Sequence, residues 1–161
     1  MPMLVKLKEV LDEAKVSYEV YNHPRAFTAQ EIAATQHITG RAMAKVVILE
    51  VDGTYIMAVV PSNRMVSLDR VRANLGAKKI ELAPEERFAG LFPECEVGAM
   101  PPFGNLFGLP VYMDPALDKY DFVYFNAGNH LQTVRLKLRD LKHLVKPRMV
   151  SLTEERRKKA A

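Results

Sequence analysis

The feature that most constrains the fold is a pair of apolar runs, Lys45 to Val51 and Thr54 to Val60, joined by Asp52-Gly53. Both runs are strand-like, and Asp-Gly accepts the positive φ angles of a two-residue hairpin turn. A turn of that length fixes the register. Val51 faces Thr54, Leu49 faces Ile56, Val47 faces Ala58 and Lys45 faces Val60, all on one side of the pair. That side is apolar apart from Thr54 beside the turn and Lys45 at the far end. An unpaired ammonium is costly to bury, so Lys45 either reaches water along its methylene stem or meets an anion in a cleft. The pattern alone leaves both open. The second strand runs on into Pro61-Ser62-Asn63, which brings polar groups to the same end of the sheet.

Around this hairpin the chain alternates helical and strand-like stretches. Leu4, Leu7, Leu11 and Ala14 recur at helical spacing, and Tyr18 to Tyr21 reads as a short strand. Thr28-Ala29-Gln30-Glu31 has the form of a capping box opening a helix to about Gln36, with Gly40 closing the segment. Ser67 is placed to cap a helix through Leu75 that Gly76 stops, Ile80 and Leu82 suit a strand, and Pro84 suits the first turn of a short helix through Phe88. From Phe92 to Pro110, prolines and glycines break any period, which predicts a long shaped loop. Strand character returns at Pro110 to Met113, Phe122 to Phe125 and Leu131 to Leu138, and Leu141, Leu144 and Val145 suggest a closing helix. The expected fold is α+β: a single domain over residues 1–150 with a central mixed, mostly antiparallel sheet flanked by helices. Residues 151–161 read as a frayed basic tail.

With 161 residues, 48% of them hydrophobic and 26% charged, the chain suits one compact globular unit. No apolar run approaches the roughly 20 residues that span a bilayer, and Met1 to Glu13 lacks the form of a signal peptide, so a cytoplasmic location and no membrane partner are expected. The lone Cys95 excludes an internal disulfide and a multi-cysteine metal site. It has no local nucleophile motif and is expected to pack as a small side chain. His23, His37, His130 and His143 lack the close pairing of a helical zinc motif, and Glu85-Glu86 and Glu154-Glu155 lie in polar stretches that read as surface. No metal and no cofactor are therefore expected. The net charge of +4, from 23 basic against 19 acidic residues, is a mild bias toward an anionic partner. Its most useful concentration is Arg135, Lys137 and Arg139, which alternate opposite Val134, Leu136 and Leu138; the run Arg156 to Lys159 is a weaker helper.

Two loops carry candidate chemistry besides Lys45. In Gly98-Ala99-Met100-Pro101-Pro102-Phe103-Gly104, glycine lets backbone amides approach a ligand and the prolines hold the loop stiff, so the amides could polarise a carbonyl. Asn126-Ala127-Gly128-Asn129-His130 combines a glycine with hydrogen-bonding side chains. Together with His23-Pro24, Thr28 to Glu31, Ala44-Lys45-Val46-Val47 and Asp114 after a strand, these motifs run in the order found in the YbaK family of aminoacyl-tRNA deacylases. The chain resembles that family, which includes freestanding relatives of the prolyl-tRNA synthetase editing domain, over nearly its whole length.

The resemblance implies metal-free hydrolysis of the ester that joins a wrongly attached amino acid to the terminal adenosine of tRNA. It implies catalytic positions at Lys45, Gly98 and Pro101, and a pocket bordered by Met100, Pro102, Phe103, Gly128, Asn129 and His130. Water is the implied nucleophile, assisted by the free ribose hydroxyl of the substrate. Positioning and charge stabilisation suffice for an activated ester. Small side chains such as Ala, Cys, Ser or Thr are the expected cargo, because a methylene is worth only about 1–3 kcal/mol in discrimination. The expected partners are the aminoacylated acceptor end of tRNA, with Arg135, Lys137 and Arg139 on its phosphates, and an aminoacyl-tRNA synthetase. The competing reading is a non-catalytic module that binds the acceptor end or another adenosine-containing ligand.

Overall fold

A computed structural model describes residues 3–22 and 43–155. The expected helix from Thr28, with His23, His37 and Gly40, lies outside the described residues, as does the basic run from Arg156. The hairpin forms as its residues dictate. Strands β2 (Ala44–Val51) and β3 (Thr54–Pro61) pair antiparallel with Lys45 opposite Val60 and Val51 opposite Thr54. The turn places Asp52 at φ 48° and Gly53 at φ 85°, the left-handed values that Asp-Gly tolerates.

Three more strands extend the hairpin into a five-stranded sheet ordered β5-β2-β3-β6-β9. Strand β5 (Ile80–Leu82) is antiparallel to the turn end of β2, while β6 (Val111–Met113) and the short β9 (Arg148–Met149) add in parallel beyond β3. A second, antiparallel sheet has the order β1-β8-β7, built from β1 (Tyr18–Asn22), β7 (Phe122–Asn126) and β8 (Gln132–Lys137). The two sheets touch through a parallel bridge between Met43 and Tyr124. This is the mixed, mostly antiparallel α+β domain expected, with its sheet divided in two.

The two faces of the hairpin serve different cores. Ile48, Met57 and Val59 point toward the three-stranded sheet and meet Val123, Phe125, Val134 and Leu136, with Leu7 and Leu11 of the helix Val5–Glu13 closing that core. Leu49, Ile56, Ala58 and Val60 point the other way and pack on Val71 and Leu152. Val71 belongs to the helix Leu68–Leu75. Ser67 accepts a hydrogen bond from the Arg70 amide at its start, and Gly76 ends it at φ 66°, as the sequence predicts. Each fully buried aliphatic side chain here contributes roughly 1.5–3 kcal/mol.

Two expectations are corrected. The chain does not fray at Ser151. Leu152 and Thr153 are both 0% exposed, and β10 (Thr153–Glu155) pairs antiparallel with β4 (Arg64–Val66), so the described chain is part of the fold through Glu155. The cause is Asp114, a carboxylate only 3% exposed. Its Oδ2 accepts from the Leu152 amide (2.9 Å), the Thr153 amide (2.9 Å) and the Thr153 hydroxyl (2.7 Å), while Oδ1 accepts from the Ala116 amide (2.8 Å). Arg64 and Arg70 grip the same threonine, Arg64 Nε donating to Oγ1 at 2.6 Å and Arg70 Nη1 to the carbonyl at 2.7 Å.

The second correction concerns the strand expected to reach Leu138. It stops at Lys137: the Leu138 amide still bonds to the Asp121 carbonyl in the register of the β7/β8 ladder (2.9 Å), but the helix Leu138–Val145 begins there, burying Leu138, Leu141 and Val145. Arg139 therefore sits on a helix, and the three cations do not form one strand face.

Candidate active site

Lys45 is half-buried. It lines a cavity of about 780 Å³ together with Val47, Met65, Leu68, Leu82 and Glu154. Its side of β2 is the apolar side anticipated, shared with Leu49 and backed by Val60. The carboxylates of β10, read from sequence as plain surface, are part of this wall. Met65, Leu68 and Leu82 are 50%, 36% and 57% exposed, so the cavity also presents open apolar surface to an incoming group.

The two glycine-bearing bends are tied into one knot at the end of β7. The Gly128 amide donates to the Ala99 carbonyl at 3.0 Å, and the Glu96 amide donates to the Gly128 carbonyl at 2.8 Å. His130 Nε2 donates to the Val97 carbonyl at 2.9 Å, with Glu96 Oε2 3.7 Å from the same nitrogen. Gly98 at φ 84° lies under the same imidazole: a Cβ there would stand 3.6 Å from His130 Cε1. Gly128 at φ 101° passes so close to Leu4 that a Cβ would sit 3.0 Å from Leu4 Cβ. Both glycines are thus demanded by backbone conformation, and Gly128 also by space.

Within the loop, Pro101 and Pro102 carry no N–H, and the Ala99 amide donates to the Glu96 carbonyl at 3.0 Å. The amides of Gly98 and Met100 are the loop donors to consider for a carbonyl. Phe103 is 0% exposed and stacks at 5.7 Å and 54° on Phe125. It holds the loop from beneath and does not line an open cavity. Asn129, 1% exposed, accepts from the Leu131 amide at 2.8 Å and so shapes its own turn.

The described walls of the Lys45 cavity take nothing from either bend. The bridge between Met43 and Tyr124 nevertheless ties the two places together. The strands run parallel from it, so Lys45 and Asn126 each stand two residues beyond. Asn126 opens the candidate loop in the sequence but carries no site role there, since an Asn at a strand end gives little signal by itself. Its Oδ1 is buried with no hydrogen-bond partner among the described residues, and its Nδ2 makes only a long 3.5 Å contact to the Gly98 carbonyl. A buried acceptor left unsatisfied costs about 1–3 kcal/mol and marks a place where a ligand donor would be welcome.

Cys95 lies at the edge of this knot, half-buried. Burial pushes its thiol up to about 11, the Glu94 carboxylate adds to the shift, and Lys6 opposes it weakly. Since the thiolate is the reactive form, Cys95 is inert as a nucleophile at neutral pH. Its alkylation by iodoacetamide is expected to stay slow through pH 9 and to climb only toward pH 11; a midpoint at or below the ordinary value would contradict this environment. Among the described residues no group of three or more His, Cys, Asp or Glu side chains is placed to hold a metal ion. Among them, too, no helix is long and apolar enough to cross a membrane.

Of the three cations expected on RNA, Arg135 lies over the Phe122 ring at 3.5 Å from its centroid, and Lys137 and Arg139 border a separate cavity with Lys142. Tyr120, Phe122 and Lys142 share no sequence motif, because they come from a connecting loop, β7 and the helix Leu138–Val145.

Comparison with known proteins gives one consistent result. The chain is 25% identical over 154 residues to the multifunctional Ser/Thr-tRNA deacylase ProXp-y of Escherichia coli K12, covering 91% of this chain and 90% of that protein. Its fold matches a crystal structure described as a candidate trans-editing enzyme for prolyl tRNA synthetase, with a TM-score of 0.78 at 20% identity over 92% of this chain and 95% of the other. A hypothetical protein of known structure superposes with a TM-score of 0.83 at 18% identity, over 92% and 99% of the two chains. Residues 23–144 match the model of the aminoacyl-tRNA editing domain. The resemblance carried by the motifs therefore holds, and the chain belongs to the aminoacyl-tRNA editing domain family.

Proposed function

We propose that the protein is a trans-editing hydrolase that cleaves the ester of mischarged aminoacyl-tRNA carrying a small amino acid: Ala, Cys, Ser or Thr. The observation that carries this reading is Lys45, a half-buried cation on an otherwise apolar sheet face, opening into a cavity large enough for an aminoacyl-adenosine. The likeness to a Ser/Thr-tRNA deacylase over most of both chains favours Ser and Thr within that set.

In this reading the aminoacyl-adenosine lies across the seam where β2 meets β7. Lys45 holds a phosphate or the aminoacyl group, and the Gly98 to Pro101 loop offers backbone donors to the ester carbonyl as negative charge develops there. Met100, Pro102, Gly128 and His130 border the aminoacyl group, with Phe103 and Asn129 fixing the two bends. The nucleophile is water, positioned by the free ribose hydroxyl of the substrate, so the reaction needs neither a side-chain nucleophile nor a metal. Arg135, Lys137 and Arg139 serve the tRNA phosphates. A synthetase that releases mischarged tRNA is the natural supplier, and the cytoplasm the place of action.

The test is a deacylation assay of the purified protein on a panel of mischarged tRNAs, with and without a chelator. Ester hydrolysis on at least one small amino acid, unaffected by the chelator, is expected. If no member of the panel is hydrolysed while acceptor-end RNA is still bound, the binding-module reading replaces this one.

A further inference from the structure

We propose that the cavity between β7, β8 and the helix Leu138–Val145 is a subsite for one nucleotide of the unpaired acceptor strand. It lies upstream of the esterified adenosine, stacks the base on Phe122 and holds the adjoining phosphate with Lys137, Arg139 and Lys142. The proposal rests on the reading of the protein as a tRNA-editing hydrolase and extends it to how the strand is held.

The cavity has a volume of about 540 Å³, and its walls combine the aromatic rings of Tyr120 and Phe122 with those three cations. Asp118 and Asp121 complete it, and Asp118 is already engaged by Lys142. A cavity meant for phosphate alone would have no use for the rings, and one meant for an apolar side chain would have no use for three cations. Rings interleaved with cations fit single-stranded nucleic acid, where each base offers a π-face and each linkage a charge. The carboxylate of Asp121 supplies an acceptor for the exocyclic amino group of cytosine or adenine.

The cavity is also correctly placed. Phe122, Tyr124 and Asn126 alternate along β7 and so share its outward face, while the buried Val123 and Phe125 point inward. Across the ladder, Lys137 stands opposite Phe122 and Arg135 opposite Tyr124, with Tyr21 of β1 6.2 Å from the Tyr124 ring. Arg135, its Cζ 3.5 Å from the Phe122 centroid, adds a cation to this row. This row of rings and cations runs from the cavity to Asn126, which lies beside the Gly98 carbonyl, in the loop that the proposed function sets against the ester. Four residues of strand separate Phe122 from Asn126, about 13 Å. A stacked strand rises about 3.4 Å per nucleotide and a splayed, unpaired one roughly twice that, so about 13 Å corresponds to about two nucleotides of an unpaired strand upstream of the ester.

The experiment uses two variants, Phe122→Leu, which keeps an apolar side chain but removes the ring, and Lys137→Gln with Arg139→Gln. Fluorescence anisotropy reads binding of a short labelled single-stranded RNA ending in CCA. Deacylation is read in parallel on mischarged Ser-tRNA and on seryl-adenosine, which lacks the upstream nucleotide. Phe122→Leu should weaken RNA binding about tenfold, and the double variant should also flatten its salt dependence. Both should lose several-fold more kcat/KM on Ser-tRNA than on seryl-adenosine. Wild-type affinity in both variants, equal losses on the two esters, or no RNA binding by the wild-type protein would each overturn the subsite. If the wild-type protein hydrolyses neither ester but Phe122→Leu still weakens RNA binding, the subsite stands and the hydrolase reading fails.

Discussion

Replacing Lys45 with Ala is expected to lower deacylation of a susceptible mischarged tRNA by roughly 100-fold or more, the scale seen when one preorganised charge-stabilising donor is removed. The melting temperature should move far less than the activity, because the backbone of β2 is secured by its ladder to β3 whatever the side chain at position 45. Lys45→Met separates charge from packing. It retains most of the apolar stem against Val47 and Leu82 in the cavity wall, so it should be as inactive as Lys45→Ala and at least as stable. Activity within a few-fold of wild type in either variant would remove Lys45 from the chemistry and leave it as a side chain that merely reaches water.

Asp114→Ala carries the second large effect, on stability. One buried carboxylate accepts from three donors of Leu152 and Thr153, and all three would lose their acceptor together. Stranding buried donors of this kind costs on the order of 3–5 kcal/mol in total, which for a domain of this size lowers the melting temperature by about 10 °C. Asp114→Asn, which keeps one acceptor oxygen, should fall between the two. Since β10 lines the Lys45 cavity through Glu154, activity should decline in Asp114→Ala even at temperatures where the protein remains folded. A melting temperature within 2 °C of wild type would show that Arg64 and Arg70 alone suffice to seat the strand.

How much of this was legible depends on whether the information is local. The hairpin register followed from Asp52-Gly53, because a two-residue turn leaves no freedom, and the Leu68–Leu75 helix followed from Ser67 and Gly76, which satisfy its two ends. Strands β9 and β10 could not be read, since two or three mostly polar residues have no period. They exist because of β6 and Asp114, which are distant in sequence. The end of β8 was misread for a different reason. Leu138 fits the alternation of Val134 and Leu136 and equally the helical spacing with Leu141 and Val145, and the burial of all three on the helix decides between them. Of the site, Lys45 was visible as a charge breaking an apolar face. The orphan oxygen of Asn126 and the carboxylates beside Lys45 were not, because their meaning lies in what surrounds them.

The two ends of the described chain both finish against the working parts of the molecule. Leu4 donates its amide to the Ala127 carbonyl at 2.9 Å and packs under Gly128, while Glu154 and Glu155 border the cavity of Lys45. A substitution that unseated Leu4 or Glu154 would therefore disturb the bends or the Lys45 cavity from outside the loops themselves.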